Sequence, residues 1–202
     1  MLNKMCKFVL SMTAGLMFCG SATANSTQLL AQVSKMLSTP AALQVSFSQS
    51  KKISGFSSSV NSSGKVKIAQ SRGLLWITEK PSISVLKVTS SGISELRGGN
   101  ATFSISSTQE PKIKSIGTIL TSVISGNFAP LQRYFSITGS ASKNSWRLEL
   151  SPIDSGVRQA ITNISVSGAR YVNSVDIREN NGDKTHIKFN SPVLLSAGEV
   201  GL

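Results

Sequence analysis

The chain has 202 residues, 40% of them hydrophobic, with two cysteines, one histidine and a formal net charge of +12. This length and apolar content suit one domain with a real core and fit poorly with disorder, collagen or coiled coil. One imidazole and two thiols leave little material for a structural zinc site or a thiol–imidazole active site.

The first segment reads as a leader. Met1 to Lys7 carries Lys4 and Lys7 and no acid, Phe8 to Phe18 is almost wholly apolar, and small residues follow to Ser21-Ala22-Thr23-Ala24. This is the pattern of a secretory signal peptide over residues 1–24, with an Ala-x-Ala cleavage site. The apolar run is too short for a retained membrane-spanning helix. Lipidation at Cys19 needs a small residue before it, and Phe18 stands there instead. Both cysteines fall in the leader, so the mature chain, 25–202, must be held by its core without disulfides. Loss of Lys4 and Lys7 takes the charge from +12 to +10. No other segment is long and apolar enough to cross a membrane as a helix.

In the mature chain, Asn25-Ser26-Thr27 offers an N-cap. Leu29, Leu30, Val33, Met36 and Leu37 then recur at helical spacing, and Thr39-Pro40 stops the run. This predicts one amphipathic helix over Ser26–Ser38. The period next changes to two. Leu43, Val45 and Phe47 alternate with polar residues, as do Val66 and Ile68, then Leu74 and Trp76, Ile83 and Val85, Ile93, and Phe103 and Ile105. Ser90-Ser91-Gly92 and Gly98-Gly99-Asn100 are turns, so the run predicts an antiparallel meander. Ser54–Ser63 reads as a loop or strand edge. A second helix is predicted about Ser115–Ser125, with Ile116, Ile119, Leu120, Val123 and Ile124 on its apolar face and Gly126-Asn127 at its end. Strands resume at Tyr134–Thr138, Trp146–Leu150, Ile164–Val166, Val175–Ile177 and Thr185–Phe189, with Asn180–Asp183 as a turn. No domain boundary appears. The pattern predicts a mainly β fold with some α: one curved antiparallel sheet, apolar on one face and wet on the other, wrapped around two helices.

The sequence is poor in catalytic chemistry. His186 falls on the polar face beside Lys188. There is no nucleophile elbow or phosphate-binding glycine loop, and the acids are scattered. No catalytic residue, metal ligand or cofactor is expected, and the chain reads as a non-enzyme. Surplus cations such as Lys51, Lys52, Lys65 and Lys67 could meet phosphate groups. Export removes the chain from nucleic acid, and no aromatic platform stands among the lysines, so no nucleic-acid partner is expected.

Four stretches carry a family resemblance. They are the N-terminal helix followed by Val45-Ser46-Phe47-Ser48-Gln49-Ser50; the segment Gly73-Leu74-Leu75-Trp76-Ile77-Thr78-Glu79-Lys80-Pro81; the helix Ser115–Ser125; and the C-terminal meander from Trp146-Arg147-Leu148-Glu149-Leu150-Ser151-Pro152 to Phe189. In this order they resemble the periplasmic outer-membrane lipoprotein carrier family, LolA and its relatives. The resemblance implies an unclosed antiparallel β-barrel with a helical lid. It implies a periplasmic carrier whose cavity shields acyl chains of lipoproteins or another lipid. The partners it implies are an inner-membrane exporter and an outer-membrane acceptor, and the carrier is expected to be a monomer. The alternative on the same fold is a lipid- or protein-binding module without transport, such as an envelope receptor or sensor. Expected cavity residues are Phe47, Trp76 and Phe103 from strands, and Ile119, Leu120, Val123 and Phe128 from the lid segment, which is expected to act as the gate. Lys80, where the family usually carries Arg, is the expected charge at the cavity mouth. Intact-mass analysis of exported protein should give a chain beginning at Asn25; a diacyl adduct on Cys19 would contradict the leader reading.

Overall fold

Alternation of apolar and polar residues runs through the chain in two blocks, and each block folds into an antiparallel meander. The computed structural model describes residues 26–70, 72–106, 108 and 111–202. The predicted leader, with its cleavage site and Cys19, lies outside them. The first block supplies β1 (Ala42–Lys52), β2 (Ser59–Ala69), β3 (Gly73–Lys80), β4 (Ser84–Thr89), β5 (Gly92–Arg97) and β6 (Asn100–Ser106). The second supplies β7 (Phe135–Ala141), β8 (Trp146–Pro152), β9 (Ile161–Gly168), β10 (Val172–Glu179) and β11 (Lys184–Leu194). The first strand pairs with the last, Phe47 opposite Phe189, and joins the blocks into one eleven-stranded sheet of order β6-β5-β4-β3-β2-β1-β11-β10-β9-β8-β7. Among the described residues β6 and β7 do not pair, so the sheet remains an unclosed barrel.

The helices cover the inner face. Helix α1 (Ser26–Met36) packs on β7 through buried Leu29 and Val33. Helix α2 (Pro111–Ser125) links the two blocks and touches β2 to β5 on one side of the seam and β10 on the other. The sheet curls around it. This helix begins earlier than the predicted Ser115, because proline suits a first helical position and Pro111 opens it. Gly126, at φ +75°, ends it in the left-handed conformation that favours glycine.

Strand alternation sorts the side chains. Val66, Leu74, Leu148, Leu150 and Val166 point inward and are fully buried. Each such side chain contributes about 1.5–3 kcal/mol relative to exposure. His186 lies on the outer face, with Nδ1 2.6 Å from Asp176 Oδ1. That face is less uniformly wet than the alternation predicts. The C-terminal 3-10 turn Ala197–Val200 lies against it, burying Val200 with Ala42 and Ala69, and Lys67 Nζ donates to the Glu199 carbonyl at 3.2 Å. Two further differences are local. Ile83 is 67% exposed in the turn after Pro81 rather than part of a strand. A third short helix, α3 (Ser155–Arg158), is capped by Asp154, which accepts the Val157 N–H at 3.0 Å. One turn is too short to show a helical period.

Polar clasps fasten the seam and the outer face. Lys51 of β1 reaches Glu179 at 2.7 Å and Asp183 at 3.1 Å, while Asp183 accepts the Ser54 N–H at 2.9 Å. The Ser54 N–H and then the Lys51 ammonium hold Asp183 below its ordinary pKa. The Glu179 hydrogen bond raises Lys51 against the opposing effect of burial. On the outer face burial pushes Glu149 up, but hydrogen bonds from Ser165, Asn163 and Arg147 outweigh it, and its pKa is lowered. A depressed acid contributes stability above its unfolded pKa and loses it as pH falls through its folded value. A raised lysine contributes below its unfolded value of 10.5 and loses it as pH rises through the folded one. Urea midpoints should therefore fall below pH 4 and again above pH 10, roughly. Asp183→Asn should flatten the acid limb.

Candidate functional site

The pairing register lays inward-facing residues of the first block in rows across the strands. Leu43, Ile68, Leu74, Val88, Ile93 and Ile105 form one. Val45, Val66, Trp76, Leu86, Glu95 and Phe103 form the next. In the first row Leu74, Val88 and Ile68 are almost fully buried. In the second, burial decreases outward: Val66 is closed off, Trp76 and Leu86 are half-buried, and Phe103 is 39% exposed at the edge strand. The inner face thus grades from packed core to an accessible apolar margin.

Aromatic rings mark its centre. Trp76 lies 4.6 Å from the Phe47 ring and 6.2 Å from Phe189, measured between centroids. Phe47 and Trp76 are on strands separated by β2, and the β2 residue opposite Phe47 is Gly64. A Cβ at Gly64 would stand 2.0 Å from the Ile77 carbonyl oxygen, so the close approach of β3 at this bulge requires glycine.

Helix α2 lies over this surface. Val123 and Ile124 are buried, Ile119 and Leu120 are partly buried against the core, and Ile116 is 46% exposed. The close approach depends on Gly117, where a Cβ would stand 3.3 Å from Val88 Cγ1. Beneath the helix's C-terminal end is a cavity of about 20 Å³, walled in part by Leu43, Ile68, Ile124, Tyr171, Val172 and Phe189. That is room for about one water and far too little for an acyl chain. In this form the helix itself fills the concavity.

Five expected cavity residues, Phe47, Trp76, Ile119, Leu120 and Val123, share this one core with α2. Phe103 stands at its open margin. Phe128 is buried in the same core, toward the second block: its ring packs 5.4 Å from Trp146, beside the groove along α1. None of the seven lines the small cavity. Its wall residues belong to the same periodic runs, and nothing in those runs separates a wall from filler. Lys80 is exposed at the end of β3, opposite Ser63 beyond a bulge. Glu95 is an acid the sequence did not single out. It faces inward between Leu86 and Phe103, accepting from Thr102 Oγ1 at 3.0 Å and Arg97 Nε at 3.3 Å. No group of three His, Cys, Asp or Glu among the described residues could hold a metal, and no helix among them is long and apolar enough to cross a membrane.

Two tryptophans make the site observable. Trp146 is 2% exposed and donates to the Ala169 carbonyl at 2.8 Å, whereas Trp76 faces the half-open row. An acyl ligand entering beneath α2 should shift the emission of Trp76 alone. Trp146→Phe should retain the ligand-induced change and Trp76→Phe should abolish it, as read by fluorescence titration.

Comparison with known proteins bears on this arrangement. A family model described as outer membrane lipoprotein carrier protein LolA-like matches residues 21–189. No curated protein matches the sequence significantly. Among solved structures, a LolA superfamily protein from Nitrosomonas europaea is similar at 10% identity and TM-score 0.48, over 84% of this chain and 93% of the other. A domain named for outer membrane lipoprotein sorting, from Vibrio parahaemolyticus, is similar at 11% identity and TM-score 0.45, over 87% and 97%. MucB in the MucA/MucB complex of Pseudomonas aeruginosa is similar at 9% identity and TM-score 0.36, over 87% and 58%. At these identities and scores the likenesses say nothing about what this chain binds.

Proposed function

Because the chain belongs to the LolA-like family of outer membrane lipoprotein carrier proteins, we propose that it is a periplasmic carrier. It shields acyl chains of lipoproteins, or of another lipid, beneath α2 while they pass from an inner-membrane exporter to an outer-membrane acceptor. The observation that carries this reading is a sheet with an apolar inner face covered by helices and not by a second sheet, with α2 alone among them lying against β2 to β5. An acyl chain leaving water is stabilised by about 0.8 kcal/mol for each methylene buried. To obtain that burial here it must displace α2 from the row of Trp76 and Leu86. The helix offers the same kind of surface in the ligand's absence, through Ile119, Leu120 and Val123. Lid and cargo therefore compete for one face. The exchange keeps the empty carrier from exposing a large apolar patch. It also keeps cargo affinity low enough for release, since binding must offset the lost lid contacts.

Lid opening is testable by a crosslink. The Cγ1 position of Val88, where a cysteine sulfur would sit, lies 3.3 Å from the Cβ position of Gly117. Those positions are near enough for a disulfide, and the chain from Asn25 onward contains no other cysteine. Val88→Cys/Gly117→Cys should lose binding of a fluorescent acyl probe when oxidised and regain it when reduced. Undiminished binding in the oxidised form would rule out α2 as the gate. Absence of binding by the unmodified protein would favour a receptor or sensor on the same fold.

A further inference from the structure

Two hollows meet at the end of the sheet where α1 finishes. One is the cavity beneath α2, walled there by Leu37, Ser38, Tyr171 and Val172. The other is an open groove lined by Lys35, Leu37, Ser38, Lys143 and Arg170 among others. Leu37 and Ser38 border both. The β9–β10 turn does likewise, giving Arg170 to the groove and Tyr171 to the cavity. The Ser38 N–H donates to the Arg170 carbonyl at 2.8 Å and ties the two walls together.

The groove's charge is of one sign. Lys35, Lys143 and Arg170 are exposed and form no ion pair among the described residues, and no described acid lines the groove. Lys35 sits in the last turn of α1, where it also answers the carbonyl end of the helix. Lys143 and Arg170 have no such local role, since they stand in the β7–β8 and β9–β10 turns. Glu79, Asp154, Glu179 and Asp183 lie at the opposite end of the sheet, with the β3–β4, β8–β9 and β10–β11 connections. Cations set around a concavity that no described acid lines focus positive potential there. A cationic groove that shares the wall residues Leu37 and Ser38 with an apolar interior matches a molecule that is anionic at one end and hydrocarbon at the other.

We propose that this groove seats the phosphate headgroup of an acyl-bearing lipid, whose chain passes Leu37 and Ser38 into the space beneath α2. This rests on the acyl-binding reading above and adds the class of cargo. Arg170 can present two N–H groups to phosphate oxygens, and Lys143 supplies a mobile point charge. The test is displacement of a fluorescent acyl probe from the protein by dodecyl phosphate, by monododecanoyl glycerol and by inorganic phosphate. Dodecyl phosphate should bind about tenfold more tightly than the glycerol ester, the sum of a few exposed ion pairs. High salt should shrink that preference. Lys143→Gln/Arg170→Gln should erase it and leave glycerol-ester binding unchanged. Lys188→Gln, on the outer face, should preserve it. Equal affinity for the two amphiphiles overturns the headgroup site and leaves the carrier reading standing. Inorganic phosphate binding as tightly as dodecyl phosphate, by calorimetry, overturns it in favour of a free-anion site. Failure of every amphiphile to displace the probe, or of the probe to bind, overturns both readings.

Discussion

An apolar sheet face must be covered, and in this chain the sheet cannot cover itself. Closure into a barrel would pair β6 with β7 and leave only side chains to fill the interior. The edges stay apart, and the segment between them is α2. The helix is both the connection between two meanders and the cover of their shared inner face. Most features of the interior follow from that double role. The inner rows are packed where α2 crosses them and progressively exposed toward Phe103, where it does not. Gly117 lets the helix settle on Val88, and Gly126 ends it where the chain must turn toward the second block.

The seam between β1 and β11 sets what can move. It brings the first and last strands of the sheet together, so both meanders belong to one cooperative core. Lys51, Glu179, Asp183 and the Ser54 N–H fasten one end of that seam. The C-terminal tail braces the outer face at the other, with Val200 buried against Ala42 and Ala69. Against such a frame the half-buried face of α2 is the weaker attachment. Local opening draws on elements with few buried contacts.

Charge follows the same axis as burial. Glu179 and Asp183 stand at the turns beside the Lys51 clasp, where they fasten backbone and lysine. The opposite end holds the cationic groove, which shares Leu37 and Ser38 with the cavity. An anion arriving at the groove meets no carboxylate among its described lining residues.

Much of this was legible in one dimension. Period-two alternation placed nearly every strand and told the inner face from the outer, because burial on one face of a pleated sheet imposes that period whatever the neighbours. It put His186 and Lys188 outside, and Phe47 and Trp76 inside. The helical period similarly placed Ile119, Leu120 and Val123 toward the core. Tertiary structure decided what those patterns leave open. Phe128 and Trp146 are far apart in sequence, and only the packing of α1 and the second block brings their rings together. Trp76 and Phe103 occupy the same inner row, but Trp76 packs against Phe47 and Phe189 while Phe103 stands on the edge strand β6. Lys35, Lys143 and Arg170 form a single groove only because the end of α1 and two strand turns meet at the same pole. The sequence by itself determined which face of each element is apolar, since that depends on local periodicity. The tertiary structure decided which apolar residues are packed and which charges converge, since both depend on contacts between segments remote along the chain.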